Sequence, residues 1–115
     1  MASKMDPELA KSLMKEFRDQ NKESGEHAWK TPDGHYLNGF YLERGKLEDI
    51  LKDEKVAGIH VYFAKHKDFA GKPDKVHSAL LTGAIPNPDP KDTTPFIQSK
   101  DVTDDNPPCP PVCSK

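Results

Sequence analysis

Apolar residues at helical spacing open this chain. Leu9, Leu13, Met14 and Phe17 fall at i, i+4, i+5 and i+8, one stripe of a helical period. Lys11, Ser12, Lys15, Glu16 and Asp19 hold the opposite face. Asp6 suits an N-cap, Pro7 the first helical position, and Glu8 the positive end of the dipole. The spacing therefore predicts a helix from Pro7 to near Asn21. Its stripe is expected to pack on the protein's own sheet; the alternative is a docking face for a partner helix.

Residues 22–34 are polar and end in a turn at Pro32-Asp33-Gly34. Trp29, alone in this loop, either caps the edge of a core or anchors a partner. His35–Leu42 reads as a short aromatic strand, with Gly39 marking a bulge or a close backbone approach. Gly45–Asp53 reads as a short helix, with Leu47, Ile50 and Leu51 on one face and a Glu48–Lys52 pair. Val56–Ala64 is the clearest strand, because Ile59, Val61 and Phe63 alternate with Gly58, His60 and Tyr62. Val76–Ile85 is its antiparallel neighbour, joined through the long connection Lys65–Lys75.

Beyond residue 85 proline dominates: eight of the 11 prolines lie there. Proline has no backbone N–H and a fixed φ, so this stretch cannot form central strands or long helices. It is expected to be an extended arm on a surface, or disordered. Phe96, Ile97 and Val102 would tack it to the domain or to a neighbouring copy. The fold class that follows is α+β: a small, mainly antiparallel sheet of about three strands. The N-terminal helix and one short helix pack on one face. Residues 1–85 form the core domain and 86–115 a Pro-rich C-terminal arm running outside it.

Composition sharpens this. Hydrophobic residues are 34% of the chain, below the usual ~45–50% of globular proteins, so the core is modest. The net charge is -2 with both signs mixed and no block of like charge. Nucleic acid is therefore not an expected partner, since duplex binding needs a clustered basic footprint. No apolar run is long enough for a membrane span. The N-terminus, Met1 to Pro7, lacks the apolar stretch of a secretory signal. A cytoplasmic location is the expectation, with export without a classical signal peptide as the alternative.

The order of motifs resembles a group of small uncharacterised Bacteroidota proteins. The residues that carry the resemblance are Ala10-Lys11-x-Leu13 with Phe17-Arg18 in the first helix, and Leu47, Ile50 and Leu51 in the second. Gly58-Ile59-x-Val61-Tyr62-Phe63, then Leu80, Leu81 and Gly83, then Cys109-Pro-Pro-x-Cys113 follow in order. The 65–75 connection and the 86–105 segment are longer here. The resemblance implies this order of elements and a bacterial origin. It implies no activity and no catalytic residues.

Cys109 and Cys113 are the most distinctive pair, and three readings compete. They form a local disulfide or thiol pair, which closes too small a loop to matter much for global stability. They are half of a metal site, although tetrahedral zinc needs four ligands. Or they are a redox centre, for which the known motif is Cys-x-x-Cys at a helix N-terminus. The histidines His27, His35, His60, His66 and His77 form no ligand motif; His60 and His77 lie on the two hairpin strands and would face each other in one register. Ser78 and His77 are adjacent in a strand and so point to opposite faces. Charges such as Glu48-Asp49 and Asp104-Asp105 sit in polar stretches and read as solvated. No phosphate loop occurs, and no cofactor is expected.

The function expected from these features is a non-enzymatic protein–protein interaction or self-assembly role. Its arm would dock on a neighbouring chain, with Trp29, His60, Tyr62, Phe96 and Ile97 as candidate contact residues. Proline has already reduced the arm's entropy, so docking it costs less. The partner is then a different protein or a second copy. The alternative is a small metal- or thiol-dependent enzyme or regulator using Cys109 and Cys113 with a histidine.

Overall fold

The computed structural model describes residues 4–89, 91, 93–104 and 106–114, and of residues 100 and 101 the backbone alone. Met1, Pro90 and Asp105, named above, lie outside the described residues. Within these limits the chain runs through helix α1 (Pro7–Glu23), strand β1 (Gly39–Phe40) and helix α2 (Arg44–Leu51). Strands β2 (Gly58–Lys65), β3 (His77–Pro86), β4 (Phe96–Thr103) and β5 (Pro108–Cys109) follow. The class is α+β, as expected. β2, β3 and β4 form a three-stranded antiparallel sheet in that order, and β1 pairs antiparallel with β5 in a second, two-stranded ladder.

The local signals act as the residues suggest. Asp6 caps α1, its carboxylate accepting the Glu8 N–H at 3.4 Å. Lys15 and Asp19 pair one turn apart at 2.7 Å. The helix closes at Ser24, whose hydroxyl donates to the Gln20 carbonyl at 2.9 Å. Gly25 then takes φ 60, a left-handed value that glycine adopts without strain. β2 and β3 pair in one unbroken register from Gly58↔Ala84 to Lys65↔His77. β3 lies between two strands and contributes three buried apolar residues, Ala79, Leu81 and Ala84, which are joined by Ala28, Leu37, Ile50 and Val76 from flanking segments.

Three expectations need correction. The third strand of the sheet is not His35–Leu42. The turn at Gly34 folds that segment back, so Tyr36 bridges Lys30 and the Leu37 N–H reaches the Trp29 carbonyl at 3.0 Å. Just Gly39 and Phe40 remain extended, opposite Cys109 and Pro108. The third strand is β4, from the segment expected to be an arm. Residues 96–103 contain no proline, so their N–H groups can join a ladder, at an edge as the flanking prolines allow. The last correction concerns α1. α2 packs on the sheet through Ile50, but Leu9, Leu13, Met14 and Phe17 of α1 are all exposed, Leu13 and Phe17 by 45% each. The Cα radius of gyration is 16.5 Å, against about 13 Å for a compact domain of this length.

Two further contacts shape the sheet. A Cβ at Gly83 would lie 2.8 Å from Val56 Cγ2 and 3.0 Å from Ser99 Oγ, so glycine is what lets these chains approach. Where the chain leaves the sheet after β4, Asn106 Nδ2 donates to the Ala79 carbonyl at 2.7 Å and replaces a ladder bond.

Candidate interaction surface

An apolar cleft of about 440 Å³ separates α1 from the sheet. Phe17, Trp29, Leu37, Phe40, Leu42, Val61 and Phe63 line it. Phe17 comes from the α1 stripe, Val61 and Phe63 from alternate positions of β2, and Phe40 from β1. The aromatic rings are ordered against each other. Trp29 meets Phe63 edge-on with centroids 5.7 Å apart, and Phe40 lies 6.2 Å from Phe63. On its other side Trp29 meets His77 at 4.6 Å. Burial there, then the charges of Lys65 and Lys75, hold the His77 pKa below its ordinary value. Even so, Phe63 stays 63% exposed. With Leu9, Leu13 and Met14 this makes one apolar surface running from α1 to the sheet.

A polar clasp sets the distance between α1 and the sheet. Asn21 is 7% exposed, in the last turn of α1. Its Nδ2 donates to the carbonyls of Trp29 (3.0 Å) and Leu37 (3.4 Å), and its Oδ1 accepts the Trp29 N–H at 2.7 Å. One side chain thus joins the helix end to the loop that carries Trp29. Below it, Thr31 is buried and closes the Pro32-Asp33-Gly34 turn: its hydroxyl donates to the Asp33 carboxylate and accepts the His35 N–H. The Thr31 hydroxyl lowers the Asp33 pKa, and the Lys15 ammonium lowers that of Asp19.

The other residues singled out from sequence fall elsewhere. His60 and Tyr62 sit on the opposite face of β2 from Val61 and Phe63, with ring centroids 5.5 Å apart. Phe96, at the start of β4, meets His60 edge-on at 5.8 Å. That face is thus partly covered by the chain's own later segment, while Tyr62 remains about half exposed. Ile97 lies opposite Ile85 and is exposed. His60 pairs with Thr82 and His77 with Lys65, so the two histidines do not face each other.

Cys109 and Cys113 form a disulfide, with Cα atoms 5.0 Å apart. It closes the segment that holds β5 against β1. Each sulfur is taken by the other, so neither is a thiolate. Among the described residues no group of three His, Cys, Asp or Glu side chains could hold a metal. A second cleft, about 490 Å³, is lined in part by Lys65, His66, His77, Ser78, Asp104 and Asn106. Lys65 and His66 of this lining are engaged internally, whereas among the described residues the buried Asn106 Oδ1 has no hydrogen-bond partner. Lys65 Nζ donates to the Lys72 and Asp74 carbonyls, and His66 Nδ1 accepts the Asp68 N–H. Ser78 and His77 point to opposite faces of β3, so they make no nucleophile–base pair. Among the described residues no helix is long and apolar enough to cross a membrane.

Comparison with protein-family models, with curated proteins and with solved structures finds no match to this chain.

Proposed function

We propose that this chain is a non-enzymatic protein–protein interaction module, docking through the α1 stripe and the cleft beneath it. One observation carries the reading: the apolar stripe of α1 and the aromatic cleft residues stay open to solvent side by side. Contiguous apolar surface of this kind marks interaction sites, whereas scattered apolar residues do not. The proline-rich segment supports the role differently than its composition suggests. It folds on its own domain through β4 and β5, so the docking surface is α1 and the cleft instead.

A protein surface fits better than a lipid surface. α1 carries four basic residues (Lys11, Lys15, Arg18, Lys22) and four acidic ones (Glu8, Glu16, Asp19, Glu23). Membrane-surface helices carry a basic polar face instead. The disulfide favours an oxidising compartment, and hence export, over the cytoplasm.

The test is the double variant Leu13→Asp with Phe17→Asp. The expected result is an unchanged far-ultraviolet spectrum, with loss of binding of an apolar surface dye and of any concentration-dependent association in sedimentation. An unfolded variant, or one that binds the dye as before, overturns the reading.

A further inference from the structure

The surface just described ends at a sheet edge. β2 is the outer strand, eight residues long, and among the described residues no backbone pairs with its far side. Natural edges are blunted by proline, by bulges or by charge. β2 contains no proline, pairs with β3 without a register shift, and carries a charge at Lys65 alone, its last residue. Its middle residues Val61, Tyr62 and Phe63 are all exposed.

The register tells which groups point outward. The His66 N–H bonds the Val76 carbonyl at 2.9 Å, continuing the Lys65↔His77 pairing. In an antiparallel ladder the direction alternates. Ala64, Tyr62 and His60 therefore face β3, and the N–H and C=O groups of Ile59, Val61, Phe63 and Lys65 face away from it. This is a row of unused donors and acceptors beside apolar side chains.

Resting on the interaction reading above, we infer that the partner is a second copy of this chain, which adds its own β2 antiparallel to this one. Such a contact is self-complementary. With a two-fold axis at Val61, each Ile59 meets the other copy's Phe63 and the two Val61 residues exchange both backbone bonds. The sheet becomes six-stranded, and both Val61–Phe63 faces lie on one side of it, beside both clefts. The area suits a dimer. The exposed parts of Leu9, Leu13, Met14, Phe17, Val61 and Phe63 together offer roughly 500 Å² of apolar surface on the cleft side. A standard interface buries about 800 Å² per partner, with a polar rim making up the difference. The charges beside the stripe are balanced, so two copies approach without net repulsion at this face.

The experiment is sedimentation equilibrium of the whole chain, disulfide intact, beside Val61→Pro and Phe63→Lys. Val61→Pro deletes an outward N–H and leaves the β2–β3 ladder whole; Phe63→Lys puts a charge on the edge without touching the backbone. The expected result is a dimer whose dissociation constant rises at least tenfold in each variant, with the far-ultraviolet spectrum unchanged. Amide exchange at Val61 and Phe63 should be slowed in the dimer and fast in the variants. A monomer at all concentrations overturns the inference. So does a dimer that Val61→Pro and Phe63→Lys leave intact. If such a dimer is lost in Leu13→Asp with Phe17→Asp, the interaction reading survives and the β2 seam does not.

Discussion

Replacing Asn21 by alanine should cost far more than its place in a polar helix turn suggests. The substitution deletes three hydrogen bonds, to the Trp29 carbonyl, the Leu37 carbonyl and the Trp29 N–H. The consequences differ. The Trp29 carbonyl keeps a bond from the Leu37 N–H. The Trp29 N–H is left in a part-buried place that a methyl group cannot serve. Two good bonds at about 1 kcal/mol each, with one stranded donor costing about 1 kcal/mol more, come to about 3 kcal/mol. Alanine's better helix propensity returns less than about 0.7 kcal/mol of that. For a chain of this size the loss lowers the melting temperature by about 10 °C. Trp29 is the sole tryptophan, so its fluorescence reports directly on the clasp while circular dichroism reports on the whole fold. Urea unfolding followed by both should show the loss, and amide exchange in α1 should quicken more than in β3. A variant within about 0.5 kcal/mol of the parent would refute the clasp, since surface changes alone stay in that range.

Other expectations follow from the packing. Gly83→Ala drives a methyl group into Val56 and Ser99 and should destabilise by about 1–3 kcal/mol in the same assay. His77 has a folded pKa lowered by burial and by Lys65 and Lys75; unfolded His77 therefore takes its proton first on acidification. Stability is unaffected above about pH 6.5, falls as the pH drops through that value, and levels off once folded His77 is also protonated. His77→Gln should flatten that part of the profile in urea titrations. The intact mass without reductant should be lower by two hydrogens, and reduction should cost about 2 kcal/mol or less, because the Cys109–Cys113 loop is short.

What could be read from the residues was the local grammar. Asp6-Pro7 before Leu9, Leu13 and Phe17 is enough for a helix, and Ile59-x-Val61-x-Phe63 for a strand, because those periods belong to the backbone itself. The destination of the stripe was not legible: periodicity says which face of α1 is apolar, not what covers it. β4 was hidden by its neighbours. Ile97 and Val102 are separated by four polar residues and show no alternation, and the prolines on both sides favour an arm. His35–Leu42 has strand composition, yet the turn at Gly34 commits Tyr36 and Leu37 to Lys30 and Trp29, and Asn38 and Tyr41 then bond the carbonyls of Cys109 and Pro107. Asn21 gave no signal, since an asparagine near a helix end reads as a terminus and not as a clasp to residues eight and sixteen positions on. Trp29 and the stripe that includes Phe17 stand out in the sequence, whereas Phe40, Val61 and Phe63 read there as ordinary strand residues, and it is the fold that brings all five to one cleft.

The central claim is that the stripe of α1 is surface and not core. The most direct measurement is the unfolding free energy of Leu13→Asp beside Leu81→Ala, taken on monomer at low concentration. Leu81 is fully buried in β3 and should cost about 2–5 kcal/mol. Leu13, 45% exposed on α1, should cost less than about 1 kcal/mol. A loss at Leu13 as large as that at Leu81 would place the stripe inside the fold and contradict the account.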